Sequence, residues 1–225
     1  MITTSDEARS LYISKMGEHL GAQFHALWEE VALLHLRWAE FVELFGTKRS
    51  RIDLLNQAAP SFFRIVQDVL WDVTLLHIAR LTDSSKSFGK ADKENLTIQN
   101  LPRLVDSRIE LRVTALVATA ISKATFCRDW RNRNIAHSDL KLALNESPTP
   151  LPDVDKQKTE EALSAIEAVL SEVHEWYMDS ATTFKFVFND GGAYALLRVI
   201  DDGLKHSGER LCRGIWSEDD MPQVL

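Results

Sequence analysis

Between Met16 and Phe45 the apolar residues Met16, Leu20, Phe24, Leu27, Val31, Leu34, Trp38, Phe41 and Phe45 follow one another at gaps of three and four. Only an α-helix returns side chains to one face with that rhythm. At ~1.5 Å per residue the stripe predicts a helix about 45 Å long. Such a helix must lay its apolar face against others of its kind, and Gly46 stands where it would end. Glycine and proline are scarce, at 9 and 6 residues, and the remaining apolar runs are also helical in period. The fold class expected is all-α, a bundle of four main helices with short accessory helices.

The other helices follow in order. Ser50-Arg51-Ile52-Asp53 has the form of an N-cap with an acid three residues on, opening a short helix, and Pro60 restarts the chain. From Ser61 to Leu81, Phe62, Phe63, Val66, Val69 and Leu75 put apolar groups on more than one face, which predicts a central helix. Thr82-Asp83-Ser84-Ser85 ends it, and a polar loop runs to Asn95. Thr97 is placed to cap a turn within Leu96–Leu101. A third long helix is expected from Ser107 through Trp130, carrying Ile109, Val113, Leu116, Ala120 and Cys127. Prolines 148, 150 and 152 mark a turn, after which Asp153 or Asp155 caps a fourth helix striped by Leu163, Ile166, Leu170, Val173 and Tyr177. Phe184 to Phe188 alternates at period two, Gly191-Gly192 breaks it, and Ala193 to His206 reads as a last short helix ended by Gly208. Ile215 and Trp216 could dock an otherwise loose tail. The expected organisation is a bundle over residues 1–180 and a C-terminal appendage over 181–225.

Of the 225 residues, 45% are hydrophobic, enough for a sizeable core, and the net charge is −7. That balance argues against coating nucleic acid by non-specific electrostatics, but it leaves room for a local basic site. The two cysteines, Cys127 and Cys212, suit a reducing compartment. Ile2 to Ser10 has no signal-peptide core, and the longest low-charge run, Val113 to Ser122, is far short of the ~20 residues of a membrane span. A cytoplasmic chain without membrane contact is expected. No glycine-rich phosphate loop, no Cys-x-x-Cys, no His-Glu-x-x-His and no acid three residues before any histidine occurs, so neither a cofactor nor a metal is expected. His35, His77 and His174 fall inside helical runs and read as histidines half-buried at a helix boundary or packed with their ring nitrogens satisfied. Cys127 lies ten residues before His137, but nothing else supports a nucleophilic pair, and it reads as a small core residue. The tryptophans read as core, with Trp130 adjoining the one polar cluster.

That cluster is Arg131-Asn132-Arg133-Asn134-Ile135-Ala136-His137-Ser138-Asp139. From Lys123 to Arg133, Lys123, Arg128, Arg131 and Arg133 face one acid, Asp129, a local charge of +3. Cations beside a histidine suit a phosphate-bearing ligand. A 2′-hydroxyl nucleophile, a proton carried by His137 and an arginine facing the phosphorus would cleave RNA without a metal. In a straight helix Arg133 and Asn134 share a face with His137, whereas Arg131, six residues before it, points roughly 120° away. Arg131 and His137 therefore converge only if the helix ends or distorts between them. The residues equally fit a helix end in which Arg133 and His137 cap the last carbonyls and Asp139 pairs with an arginine.

An arginine followed by asparagine, with a histidine five residues beyond it in a helical bundle, resembles the HEPN superfamily. The wider pattern is similar to its AbiU-type abortive-infection branch: Arg-Asn-x-x-Ile-Ala-His-x-Asp over Arg131–Asp139, with Arg80-Leu81-Thr82-Asp83 and Asn95-Leu96-Thr97 before it. The resemblance spans roughly the first 180 residues. It implies a bundle that homodimerises and sets two motifs across the two-fold. It also implies a metal-independent endoribonuclease used as a toxin or in phage defence, or else an inactive relative that binds a nucleotide, RNA or protein. By this likeness His137 would be the acid/base, Arg131 the phosphate binder and Asn132 the residue that orients them. Local charge adds Arg128 and Arg133 as RNA contacts, with Asn134, which shares the face of His137, beside them. Any antitoxin or sensor is expected to be a separate protein.

Overall fold

The computed structural model describes residues 4–86, 94–136, 139–147, 149–181, 183–184 and 191–212. His137, Ser138, the alternating residues 185–188 and the tail with Ile215 and Trp216 lie outside the described residues. Among those described the chain is helical, with one isolated bridge between Lys86 and Glu94. The helices are α1 (Ser5–Met16), α2 (Glu18–Phe45), α3 (Arg49–Ala58), α4 (Pro60–Leu81), a 3-10 turn (Ile98–Arg103), α5 (Ser107–Lys123), α6 (Thr125–Trp130), a π turn (Arg131–Ile135), α7 (Leu140–Ala143), α8 (Lys156–Met178) and α9 (Gly192–Cys212). No helix among the described residues is long and apolar enough to cross a membrane.

The expected long first helix is α2, preceded by a helix the stripe did not announce. Thr4 and Glu7 cap α1 reciprocally, Glu7 N donating to Thr4 Oγ1 at 3.3 Å and Thr4 N to Glu7 Oε2 at 2.8 Å. The two helices part at Gly17, whose φ of 84° favours glycine. Gly21 then lets α2 pass close to α1, since a Cβ there would sit 2.6 Å from the Ile13 backbone. Pro60 occupies the first position of α4, where its missing N–H leaves no gap. Ser50 does not cap α3: Lys48 holds the cap position and makes no side-chain bond.

By contacts the chain forms two compact units, one of Met1–Trp38 with Trp71–Phe186 and one of Ala39–Leu70 with Val187–Leu225. In the first, Phe24, Leu27, Val31 and Leu34 of α2 are fully buried. Tyr12 of α1 and His174 of α8 meet the Phe24 ring edge-on and tilted. α5 packs along α8, with Ile109, Val113, Val117 and Ala120 buried on one helix and Ile166, Val169, Leu170 and Val173 on the other. Each such valine, leucine or isoleucine side chain contributes about 1.5–3 kcal/mol by leaving water. In the second unit Leu44, Leu55, Phe63, Ala193 and Leu197 form the core, α3 packs on α9, and Glu40 Oε2 accepts from Ala193 N at the start of α9. α9 is 21 residues long, longer than the expected Ala193–His206.

Two expectations about helices are corrected. The segment from Ser107 to Trp130 is not one helix, because it breaks at Ala124 between α5 and α6. α4 is not enclosed all round: Phe62, Ile65 and Val69 form an exposed stripe at 59%, 62% and 53% accessibility.

Candidate functional site

α4 stops at Leu81, and the carbonyls beyond it are taken up by side chains from the 3-10 turn and α6. Thr97 Oγ1 lies 2.9 Å from Leu81 O and 2.8 Å from Asp83 O. Gln99 Nε2 donates to Thr82 O at 2.9 Å, and Arg128 Nη1 approaches the same carbonyl at 3.4 Å. Thr82 Oγ1 turns back to Ile78 O at 2.9 Å. Asn100 Nδ2 donates to Asn95 O and Asn95 Nδ2 to Ser84 O. Thr82, Thr97 and Asn100 are buried, so these bonds form a satisfied polar knot of the kind that fixes a backbone. Thr97 also caps the 3-10 turn, accepting from Gln99 N at 3.3 Å, as its sequence position predicts.

α6 is set against this knot by the break at Ala124. Thr125 Oγ1 donates to Ser122 O at 2.9 Å and lies 3.2 Å from Ile121 O. Arg128 Nη2 donates to Ile121 O at 2.9 Å. Side chains thus occupy carbonyls at the end of α5, which is how a helix bends without leaving orphans. Arg128, expected to bind RNA, is a strut between α4 and α5 here.

The motif follows as a π turn. Ala136 N donates to Arg131 O, five residues back, at 2.8 Å, and Asp139 N reaches Arg133 O at 3.1 Å. The helix is therefore distorted from Arg131 to Ile135, so these residues do not continue α6 as one straight α-helix; π turns are rare and frequent at functional sites. Arg131 Nη1 is bonded to Asp83 Oδ2, and its Nε donates to Asn132 Oδ1 at 3.0 Å. Arg133 donates to Ser147 Oγ at 3.1 Å, to Pro150 O at 3.3 Å and to Thr149 O. Asn134 is exposed and has no side-chain hydrogen bond among the described residues. The structure thus brings Arg131 to Asn132 and Asp83, and sends Arg128 and Arg133 to backbone carbonyls on either side. Asp83 stood in the sequence pattern as part of Arg80–Asp83 but carried no role; an acid just past a helix end was its only signal.

Among the described residues Asp139 pairs with no arginine. It caps α7, its Oδ1 accepting from Leu142 N at 2.9 Å. Trp130 adjoins the motif and donates Nε1 to Pro152 O at 3.0 Å. Trp176 is not core: it is partly exposed, with the Arg108 guanidinium 4.8 Å above its ring. Cys127 is buried, and burial pushes its thiol far up, away from nucleophilic use. His174 Nδ1 meets Ser180 O at 3.0 Å, and His77 lies between Arg37 and Glu30. His35 stacks on Phe184, and its Nε2 is 3.9 Å from Glu167, too far for a hydrogen bond.

Among known proteins, no curated protein and no solved structure matches the chain. A family model does match, that of AbiU2 in the HEPN group, over residues 17–196, or 180 of the 225 residues. The matched span begins one residue before α2 and ends inside α9, so it contains α2 to α8 and the whole Arg131–Asp139 motif. On that match the chain belongs to the HEPN AbiU2 family.

Proposed function

We propose that this protein is a metal-independent endoribonuclease of HEPN type, acting in phage defence or as a toxin. What supports the reading is the Arg131-Asn132 and His137 pattern in a chain of the HEPN AbiU2 family, with a π turn at Arg131–Ile135 interrupting the straight helix on which the two would face apart. In the reaction the O2′–phosphorus bond forms as the phosphorus–O5′ bond breaks. His137 moves the proton from O2′ or to O5′. Arg131 meets the added charge on the phosphoryl oxygens, and Asn132 steadies the guanidinium through Nε. Asn134 contacts RNA beside them, while Arg128 and Arg133 add positive potential with their donors held by carbonyls. The products are a 2′,3′-cyclic phosphate and a 5′-hydroxyl. A homodimer places two motifs across a two-fold, and a separate antitoxin or sensor restrains them.

The chain's net charge of −7 favours a second reading, a catalytically inactive helical dimer that binds a nucleotide, RNA or protein through the same face. Expression in cells separates the two. The first reading expects growth arrest and fragmented RNA from the wild type, and neither from His137→Ala. Equal growth and intact RNA for both proteins would favour the second.

A further inference from the structure

We propose that Asp83 is the positioning residue for Arg131, holding the guanidinium by one nitrogen while Asn132 holds it by another. The substrate in this inference is the RNA phosphate of the ribonuclease reading, and it rests on that reading to that extent.

Arg131 uses Nη1 on Asp83 and Nε on Asn132, and Nη2 has no hydrogen bond among the described residues. A planar guanidinium fixed at two of its three nitrogens has lost its swing about the side chain, so the remaining donor has one place to point. The fixing group is itself fixed. Asp83 N is tied to Arg80 O at 3.3 Å, and Asp83 O accepts from the buried Thr97 hydroxyl. The preceding carbonyl is held by Gln99 and Arg128. Buried Thr97 and the half-buried Gln99 and Arg128 thus fix the backbone that carries this carboxylate, which is itself partly exposed, with 32% accessibility against 22% for Arg131. A pair so accessible adds little to stability. The knot stabilises the end of α4, whereas the Asp83–Arg131 pair built on it adds little of its own, and what that pair does is present Arg131.

The arrangement has two opposite consequences. Orientation helps the chemical step, because a preset donor needs no rearrangement when charge develops. Compensation weakens ground-state binding, because Asp83 cancels one positive charge before RNA arrives. Removing the carboxylate charge should therefore slow cleavage and tighten binding at once, a split that a merely structural residue would not produce.

The test compares wild type, Asp83→Asn, Asp83→Glu, Arg131→Ala and the Asp83→Asn/Arg131→Ala double variant. Single-turnover cleavage of a labelled oligoribonucleotide is measured beside equilibrium binding of its uncleavable 2′-deoxy analogue over a range of salt. For Asp83→Asn the expected results are a cleavage rate lower by about tenfold and tighter binding. Its salt slope should steepen by about 0.7, the increment for one charge on a single strand. Asp83→Glu restores part of the rate, and Arg131→Ala abolishes all effects of Asp83→Asn. An unchanged rate and slope in Asp83→Asn would overturn the inference. So would an equal effect of Asp83→Asn with and without Arg131. If the wild type does not cut RNA, the ribonuclease reading fails and the binding arm alone decides. A steeper slope that vanishes with Arg131→Ala then sustains the Asp83–Arg131 inference, and an unaltered slope removes it.

Discussion

Arg37 Nη1 lies 3.3 Å from His77 Nδ1, and a guanidinium can only donate, so Nδ1 accepts and the ring proton sits on Nε2. That nitrogen is 2.6 Å from Glu30 Oε2. His77 and His35 are both held below the ordinary imidazole range, chiefly because burial disfavours the cation, with Glu30 and Glu167 acting in the opposite sense. Above about pH 6.5 the folded and unfolded chains both carry these rings neutral. Below it the unfolded chain takes up protons that the folded one refuses, so stability falls as pH drops through that range. Thermal melts should show a lower midpoint at about pH 5.5 than at about pH 7.5, and His77→Gln should shrink the difference; an undiminished drop would remove His77 from the account. At this scale the sequence was readable only in part. Histidines inside helical stripes are visibly packed, and Arg131 and Asn132 are visible as a polar pair. Asp83 is 48 residues from Arg131 in the chain, and no local pattern connects a carboxylate to a guanidinium at that distance.

Helices were legible where a buried stripe runs long, and their interruptions were not. The third stripe continues through Val113, Val117, Ala120, Ala124 and Cys127, all buried, straight across the break at Ala124. Burial keeps its period there because Thr125 and Arg128 absorb the freed carbonyls, and that substitution of side chain for backbone leaves no periodic trace. α7 was illegible for the opposite reason: it has four residues and one cap, with no stripe to read. Two predictions belong to this scale. Thr97→Val removes the hydroxyl that holds Leu81 O and Asp83 O in a buried knot, so it should lower stability by about 1–3 kcal/mol in urea unfolding; a loss within error would show that the knot does not hold α4's end. Arg128→Lys keeps the charge but cannot span Thr82 O and Ile121 O together. It should therefore reduce the unfolding midpoint, and an unchanged midpoint would show that Arg128 is no strut between these carbonyls.

For the whole molecule the all-α class was written in the scarcity of glycine and proline and in four long stripes, because burial of one helical face is a property of the entire chain. The grouping of Ala39–Leu70 with Val187–Leu225 was not, since contact between α3 and α9 joins segments more than a hundred residues apart, and sequence order suggests only a terminal appendage. The homodimer proposed for the motif predicts twice the 25.5 kDa chain mass in light scattering at micromolar concentration; a monomer there would remove the two-fold from the mechanism. The central claim is that Arg131 and His137 cleave RNA through its own 2′-hydroxyl. The direct measurement is cleavage of an end-labelled RNA by purified protein with excess chelator, beside the same RNA carrying one 2′-deoxy residue at the cut position. Cleavage to a 2′,3′-cyclic phosphate is predicted for the wild type on the all-ribose strand. No cleavage is predicted at the 2′-deoxy position, or by His137→Ala or Arg131→Ala on either strand. Cleavage that persists at the 2′-deoxy position, or in His137→Ala, would contradict the account.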